Sequence, residues 1–322
     1  MRDHGGNIDS AIRIHGGAEG DWVDLSTGIN RVAYPVPRLS AAAWTQLPTR
    51  AAMERLIRAA SGAYGTGAAI LPVAGAQAAI QMIPRLTAPA EAAVLSPTYN
   101  EHAACLRSAG WRVREGARLS DLEGADLAIV VNPNNPDGQR FAPADLVALS
   151  GRVDRLVVDE SFADPRPDLS VAADAGRNGL LVLRSFGKFF GLAGLRLGFV
   201  LGAKADIEAL AAMAGPWPVS GAAIEVGSAA LGDSGWARTT IERLDADCAL
   251  MDALATRRGW TLIGGTELFR LYDTDDAAEA QNHLARGHIW SRIFPWSARV
   301  IRLGLPAPAE WDRVRAAMEA GL

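Results

Sequence analysis

From about residue 68 the sequence alternates short apolar runs with segments of helical spacing, and this alternation constrains the fold more than any other feature. The apolar runs fall at 70–73, 92–95, 111–113, 127–131, 156–158, 180–183 and 195–201. Between them, 76–86, 98–109 and 143–149 have the spacing and length of helices. Strands buried on both faces read as near-continuous apolar runs, so the pattern predicts an α/β fold: a mostly parallel, seven-stranded sheet covered by helices on both faces. Ligands of such open sheets gather beyond the carboxyl ends of strands. The polar residues that follow each run are therefore the candidates for chemistry. After Gly202 the pattern shifts to longer Ala-rich helical stretches at 204–214, 222–231 and 236–256, then strand-like pieces at 261–263, 267–272 and 300–303, and a last helix through 308–319. We read residues 1–30 as an arm packing near the site, 31–230 as the large domain, and 231–322 as a smaller α/β domain.

With 49% hydrophobic residues, the 322-residue chain can bury a sizeable core. Its net charge of −4 supplies no global basic field, so neither nucleic acid nor an anionic membrane is an expected partner, and an anionic ligand must be met by local cations. The N-terminal MRDHGGNIDSAIRIHGG is polar where a signal peptide needs an apolar stretch, and no apolar run reaches membrane-spanning length. A soluble, cytoplasmic protein is the expectation. Cys105 and Cys248 form no metal-type or redox-type pair. His15, His102, His283 and His288 show no metal spacing, so no metal is expected and these histidines receive no role.

Four segments carry chemistry. Ser185–Gly198, SFGKFFGLAGLRLG, follows an apolar run and places Lys188 among aromatics and glycines. A lysine amine can bond a carbonyl covalently when burial or a cationic neighbour frees it of its proton, and Ser185 and Arg196 suit a phosphate. In Leu71–Gln77, an apolar run ends in Gly75 and a helix begins; its free N–H groups can meet an anion, although an ordinary strand-to-helix turn reads the same way. Asp159 and Glu160 close a strongly apolar strand, where an aspartate either caps the next helix or pairs with a protonated ring nitrogen. Asn132–Gly138, NPNNPDG, is a rigid turn whose amides can donate hydrogen bonds.

In combination and in this order, the segments resemble the class I/II pyridoxal-phosphate aminotransferase superfamily. The resemblance implies a fold-type I enzyme with pyridoxal 5'-phosphate as cofactor, and a homodimer. It makes Lys188 the lysine bonded to the cofactor aldehyde, Asp159 the partner of the pyridine nitrogen, Asn135 the donor to the ring hydroxyl and Tyr99 the aromatic stacked on the ring. Gly75, Ala76, Gln77, Ser185 and Arg196 would hold its phosphate. In VIRLGL, Arg302 falls where the family keeps the arginine that grips the substrate carboxylate; Arg299 competes, and strand alternation sends the two to opposite faces. Within the superfamily, the arm His4-Gly5-Gly6-Asn7, the segment Ser26-Thr27-Gly28-Ile29-Asn30 and Phe162 in DESF resemble the threonine-phosphate decarboxylases of cobalamin biosynthesis. That implies a phosphorylated amino acid as substrate, with His4, Gly28, Asn30 and Arg292 beside Arg302 in its binding. An aminotransferase such as one acting on histidinol phosphate is the nearest alternative, and a non-catalytic ligand-sensing domain a more remote one. The chain departs from the superfamily at Leu47-Pro48, where a tyrosine usually precedes the proline, and at Asp137, where threonine is usual.

Overall fold

The computed structural model describes residues 4–321. Contacts divide them into two compact units, one made of Tyr34–Asn135 and Gln139–Trp236, the other of the residues up to Ala33, Pro136–Gly138 and the residues from Ala237 on.

The first unit is built on a seven-stranded sheet in the order Ala69–Val73, Gly198–Gly202, Leu180–Ser185, Leu156–Asp159, Leu127–Val131, Glu91–Leu95, Arg112–Gly116. Every strand pair is parallel except those made by Gly198–Gly202, which runs antiparallel to both neighbours. Ala69–Val73 thus finds its sheet partner far along the chain, with Leu71 opposite Val200. Because side chains alternate along a strand, one face of the sheet contributes Val94, Ile129, Val157, Leu183 and Val200 to a core completed by Ile80, Leu106 and Leu210 of the helices Ala76–Met82, Glu101–Ser108 and Lys204–Ala214. Phe199 points to the opposite face, where its ring meets Tyr64 edge-on at 5.7 Å. Tyr64 ends the helix Arg50–Tyr64, which Thr49 opens by accepting from Ala52 N and Gly65 closes in the left-handed region. Leu56 and Ala60, one turn apart, are its buried stripe.

The second unit carries a four-stranded antiparallel sheet in the order Arg292–Phe294, Ser297–Gly304, Phe269–Asp273, Thr261–Thr266. Around it stand the helices Ala277–Arg286 and Trp311–Glu319, and Ser234–Arg257 from Ala237 onward. The N-terminal segment read as an arm contains a helix, Ile8–His15, capped by Asn7, whose side chain accepts from Ser10 N. Its buried residue is Ala11, which packs with Trp22 and Ala285. Val23–Asp24 pairs with Ile289–Trp290 in a short parallel ladder. Among the described residues no helix is long and apolar enough to cross a membrane.

Candidate active site

The carboxyl ends of the central strands open on a cavity of about 140 Å³ in the first unit. Gly75, Ala76, Gln77, Tyr99, Asn135, Asp159, Ser185, Lys188 and Arg196 all line it, so the structure brings together every residue that the sequence assigns to the cofactor.

Backbone geometry explains the phosphate-like end of the group. Gly75 has φ +76, a conformation that favours glycine, and a Cβ there would sit 2.8 Å from Arg196 Nη2. Only a bare Cα lets the guanidinium lie against this turn. Ala76 and Gln77 then begin a helix whose first N–H groups have no acceptor within it. Arg196 itself adopts φ 54, outside the usual range for a side-chain-bearing residue, and donates from Nη1 to Ala193 O. Lys188 stands in the four-residue helix Phe186–Phe189, anchored by buried aromatics: Phe186 stacks on Phe190 with centroids 4.3 Å apart, and Phe190 stacks on Trp236 at 5.5 Å. Its Nζ lies 5.7 Å from the centroid of the Phe162 ring.

Asp159 ends the strand Leu156–Asp159 and is almost fully buried. His102 Nε2 lies 2.9 Å from its Oδ2; Oδ1 accepts from Ser161 N at 2.9 Å and from the Ser161 hydroxyl. Burial pushes this carboxyl up, but the bonds from His102 and Ser161 outweigh it and hold its pKa below the usual aspartate value. Asp159 is therefore an anion at neutral pH, and the histidine nitrogen facing it is a donor. Tyr99 stands edge-on to His102 with centroids 6.0 Å apart and donates to Gln77 Oε1 at 3.3 Å. Burial, followed by the charges of Glu101 and Asp159, pushes its hydroxyl up to about 12, so it stays protonated. The Asn132–Gly138 turn is fixed by side chains: Asn132 accepts from Phe141 N, and Asn134 accepts from Thr98 Oγ1 and donates to Pro97 O. Asn135 is held over the cavity by that frame.

The residues assigned to the substrate belong to the second unit. Arg302 is buried and donates from Nη2 to Ser26 O at 2.8 Å, its guanidinium 4.9 Å from the centroid of the Phe269 ring. Arg292 is its direct partner across the strand pair. Burial, then the Arg292 charge, lowers the Arg302 pKa to about 9, against the opposing charge of Asp24. Arg299 is exposed and spent on Asp273, with bonds of 2.9 and 2.6 Å. His4 and Arg292 line a second cavity, whereas Gly28 and Asn30 line neither of these two. Asn30 Oδ1 instead accepts from Arg243 Nη2 at 2.6 Å and from Val32 N at 3.0 Å. His102, given no role on the sequence, is the partner that the reading missed; it stands near the start of the helix Glu101–Ser108, and only the fold brings it to Asp159. Among the described residues no cluster of three potential metal ligands occurs.

These residues suit pyridoxal phosphate: a donor-rich, cationic turn that a Cβ would obstruct, a lysine, an aromatic ring and a carboxylate kept ionised in a buried place. The family model for aminotransferase class I and II matches residues 46–293. A threonine-phosphate decarboxylase of Pseudomonas aeruginosa is 43% identical, covering 99% of this chain and 97% of that one. One from a Sinorhizobium species is 43% identical over 96% of this chain and 95% of that one. The structure of a Sinorhizobium meliloti histidinol-phosphate aminotransferase in complex with pyridoxal-5'-phosphate superposes with a TM-score of 0.84 at 20% identity, covering 96% of this chain and 92% of that one, which shows a shared fold. On the family match and on 43% identity over nearly the whole length, the chain belongs to the class I and II aminotransferase family, in the branch of the threonine-phosphate decarboxylases.

Proposed function

We propose that this protein is a pyridoxal-phosphate-dependent carboxy-lyase that converts L-threonine O-3-phosphate to (R)-1-aminopropan-2-yl phosphate and carbon dioxide, a step of cobalamin biosynthesis. The observation that carries the reading is the single cavity on which Lys188, Asp159, Asn135, Tyr99 and Arg196 converge in a chain so similar to two threonine-phosphate decarboxylases. When bound, the cofactor supplies an electron sink for the pair left on Cα as the carboxylate departs.

The chain's residues prepare and complete that step. Asp159, kept ionised by His102 and Ser161, would hold a proton on the cofactor's ring nitrogen. Asn135 would donate to the ring hydroxyl, and Tyr99 would supply the aromatic contact to the ring. Gly75, Ala76, Gln77, Ser185 and Arg196 hold the cofactor phosphate. Lys188 would hold the cofactor covalently, and its amine, in the same cavity, would deliver a proton to Cα. Arg302 grips the substrate carboxylate and sets the bond that breaks, which is a problem of orientation. Arg292 and His4, with Gly28 and Asn30, serve the substrate's remaining groups. A cytoplasmic homodimer, with an arm over 1–30, a cofactor-binding domain over 31–230 and a smaller domain over 231–322, belongs to the same reading.

Incubating the purified protein with L-threonine O-3-phosphate tests it: carbon dioxide and the amino-propanol phosphate are expected in equal amounts. Keto acid formed without carbon dioxide would give the chain an aminotransferase activity instead. Borohydride reduction followed by peptide mass spectrometry should find the cofactor adduct on Lys188, and an adduct on Lys204, the other lysine in the chain, would refute the assignment.

A further inference from the structure

Gly198 opens the strand Gly198–Gly202, is buried, and does not line the active-site cavity. A glycine inside a buried strand packs no side chain and gives up more backbone freedom on folding than any other residue. Its φ lies outside the left-handed region, so no turn requires it. The space around it does. A Cβ at this position would stand 2.5 Å from Ala76 N, 2.8 Å from the carbonyl carbon of Gly75 and 3.0 Å from Arg184 O. All three are backbone atoms, which cannot swing aside as the end of a side chain can.

The sheet makes Gly198 the meeting point of the groups assigned to the cofactor phosphate. It pairs with Val73 on one side and with Ser185 on the other. Val73 leads into the Gly75 turn, and its carbonyl accepts from Gly75 N at 2.7 Å. Two residues before Gly198, Arg196 sets its guanidinium against Gly75, where a Cβ would meet Nη2 at 2.8 Å. The segment 196–198 thus holds the turn twice, by a guanidinium against Gly75 and by a bare Cα against Ala76 N. A hydrogen bond weakens steeply as its donor is displaced or tilted, and Ala76 N is the atom that a side chain on Gly198 would strike first.

We propose that Gly198 is a positioning residue for the phosphate end of the site: its missing side chain lets the Gly75–Ala76 backbone lie against the strand, which sets where the Ala76 donor stands. The inference rests on the proposed assignment of the cofactor phosphate to this turn.

Titration of cofactor-free wild type and Gly198→Ala with pyridoxal phosphate, and separately with pyridoxal, tests it, because the two probes differ only in the phosphate. Binding is read from the visible absorption of the probe, without turnover. The wild type should hold the phosphate ester more tightly. In the variant the dissociation constant of the ester should rise about tenfold or more, the loss expected for a hydrogen bond to a charged group, while that of pyridoxal stays close to wild type. Gly202→Ala serves as a second variant: at the other end of the same strand, a Cβ would meet the end of the Leu181 side chain, and the preference for the ester should survive. Equal losses for both probes, the same loss of preference in Gly202→Ala, or failure of Gly198→Ala to fold would give Gly198 a role in the sheet alone and overturn the inference. If the wild type binds pyridoxal as tightly as its phosphate, the proposed phosphate turn falls and the inference with it. If the wild type prefers the ester and Gly198→Ala keeps that preference, only the inference falls.

Discussion

His102 and Asp159 stand 57 positions apart, and nothing in the local sequence of either points to the other. Their pairing sets the charge on which the proposed chemistry depends. A carboxyl with a depressed pKa keeps its charge until the pH falls through that lowered value. In His102→Leu the contributions of His102 that lower the Asp159 pKa are lost while burial still raises it, so Asp159 should protonate at higher pH. The acid limb of the kcat profile should therefore move to higher pH. A pH–rate comparison with wild type checks this, and an unmoved acid limb would show that Asp159 draws its charge from elsewhere. Lys188, Arg196 and Asp159 were legible because each follows an apolar run in a motif whose chemistry is local. His102 was not, because its meaning depends on which strands lie side by side.

At the scale of elements, the strands Leu156–Asp159 and Leu180–Ser185 are joined by their ladder and by a buried ion cluster. Arg184 donates to Glu160 at 2.6 Å and to Asp164, while its guanidinium lies 4.3 Å from the centroid of the Tyr64 ring. Arg184→Ala would leave two carboxylates buried without their cation, a loss of about 3–5 kcal/mol. Urea denaturation of the variant should give an unfolding free energy lower by that amount; an unchanged value would mean that the carboxylates find other partners. The central strands were readable because residues buried on both sides leave an unbroken apolar run, as in Leu127–Val131. Where that condition fails, the reading slips. Arg112–Gly116 is a sheet-edge strand with Arg112 exposed, so the apolar signal sat on Trp111, which is buried just outside it and donates to Pro84 O. The strand read as starting at 195 begins at Gly198, because Arg196 turns through the left-handed region. Ile8–His15 went unread since it buries little more than Ala11, and Arg292–Phe294 since three half-buried residues carry no period.

For the molecule as a whole, binding of the cofactor should set much of the stability. A ligand held by the folded state alone adds about 4 kcal/mol when its concentration is a thousand times its dissociation constant. Protein stripped of cofactor should therefore melt at clearly lower temperature and recover on reconstitution, as calorimetry of the two forms would show; equal melting temperatures would mean that the cavity residues are not its holders. The place of Gly198–Gly202 in the sheet also sets the order in which the chain can fold during synthesis. Ala69–Val73 leads directly into the Gly75 turn, yet the strand that flanks it in the sheet is made more than a hundred residues later. At ribosomal speeds of roughly 5–20 residues per second, the nascent strand waits on the order of ten seconds with its hydrogen-bonding edge exposed. The turn that would hold the cofactor phosphate is thus among the first parts of the sheet to be translated and among the last to be secured, so cofactor capture must follow emergence of residue 202 from the ribosome.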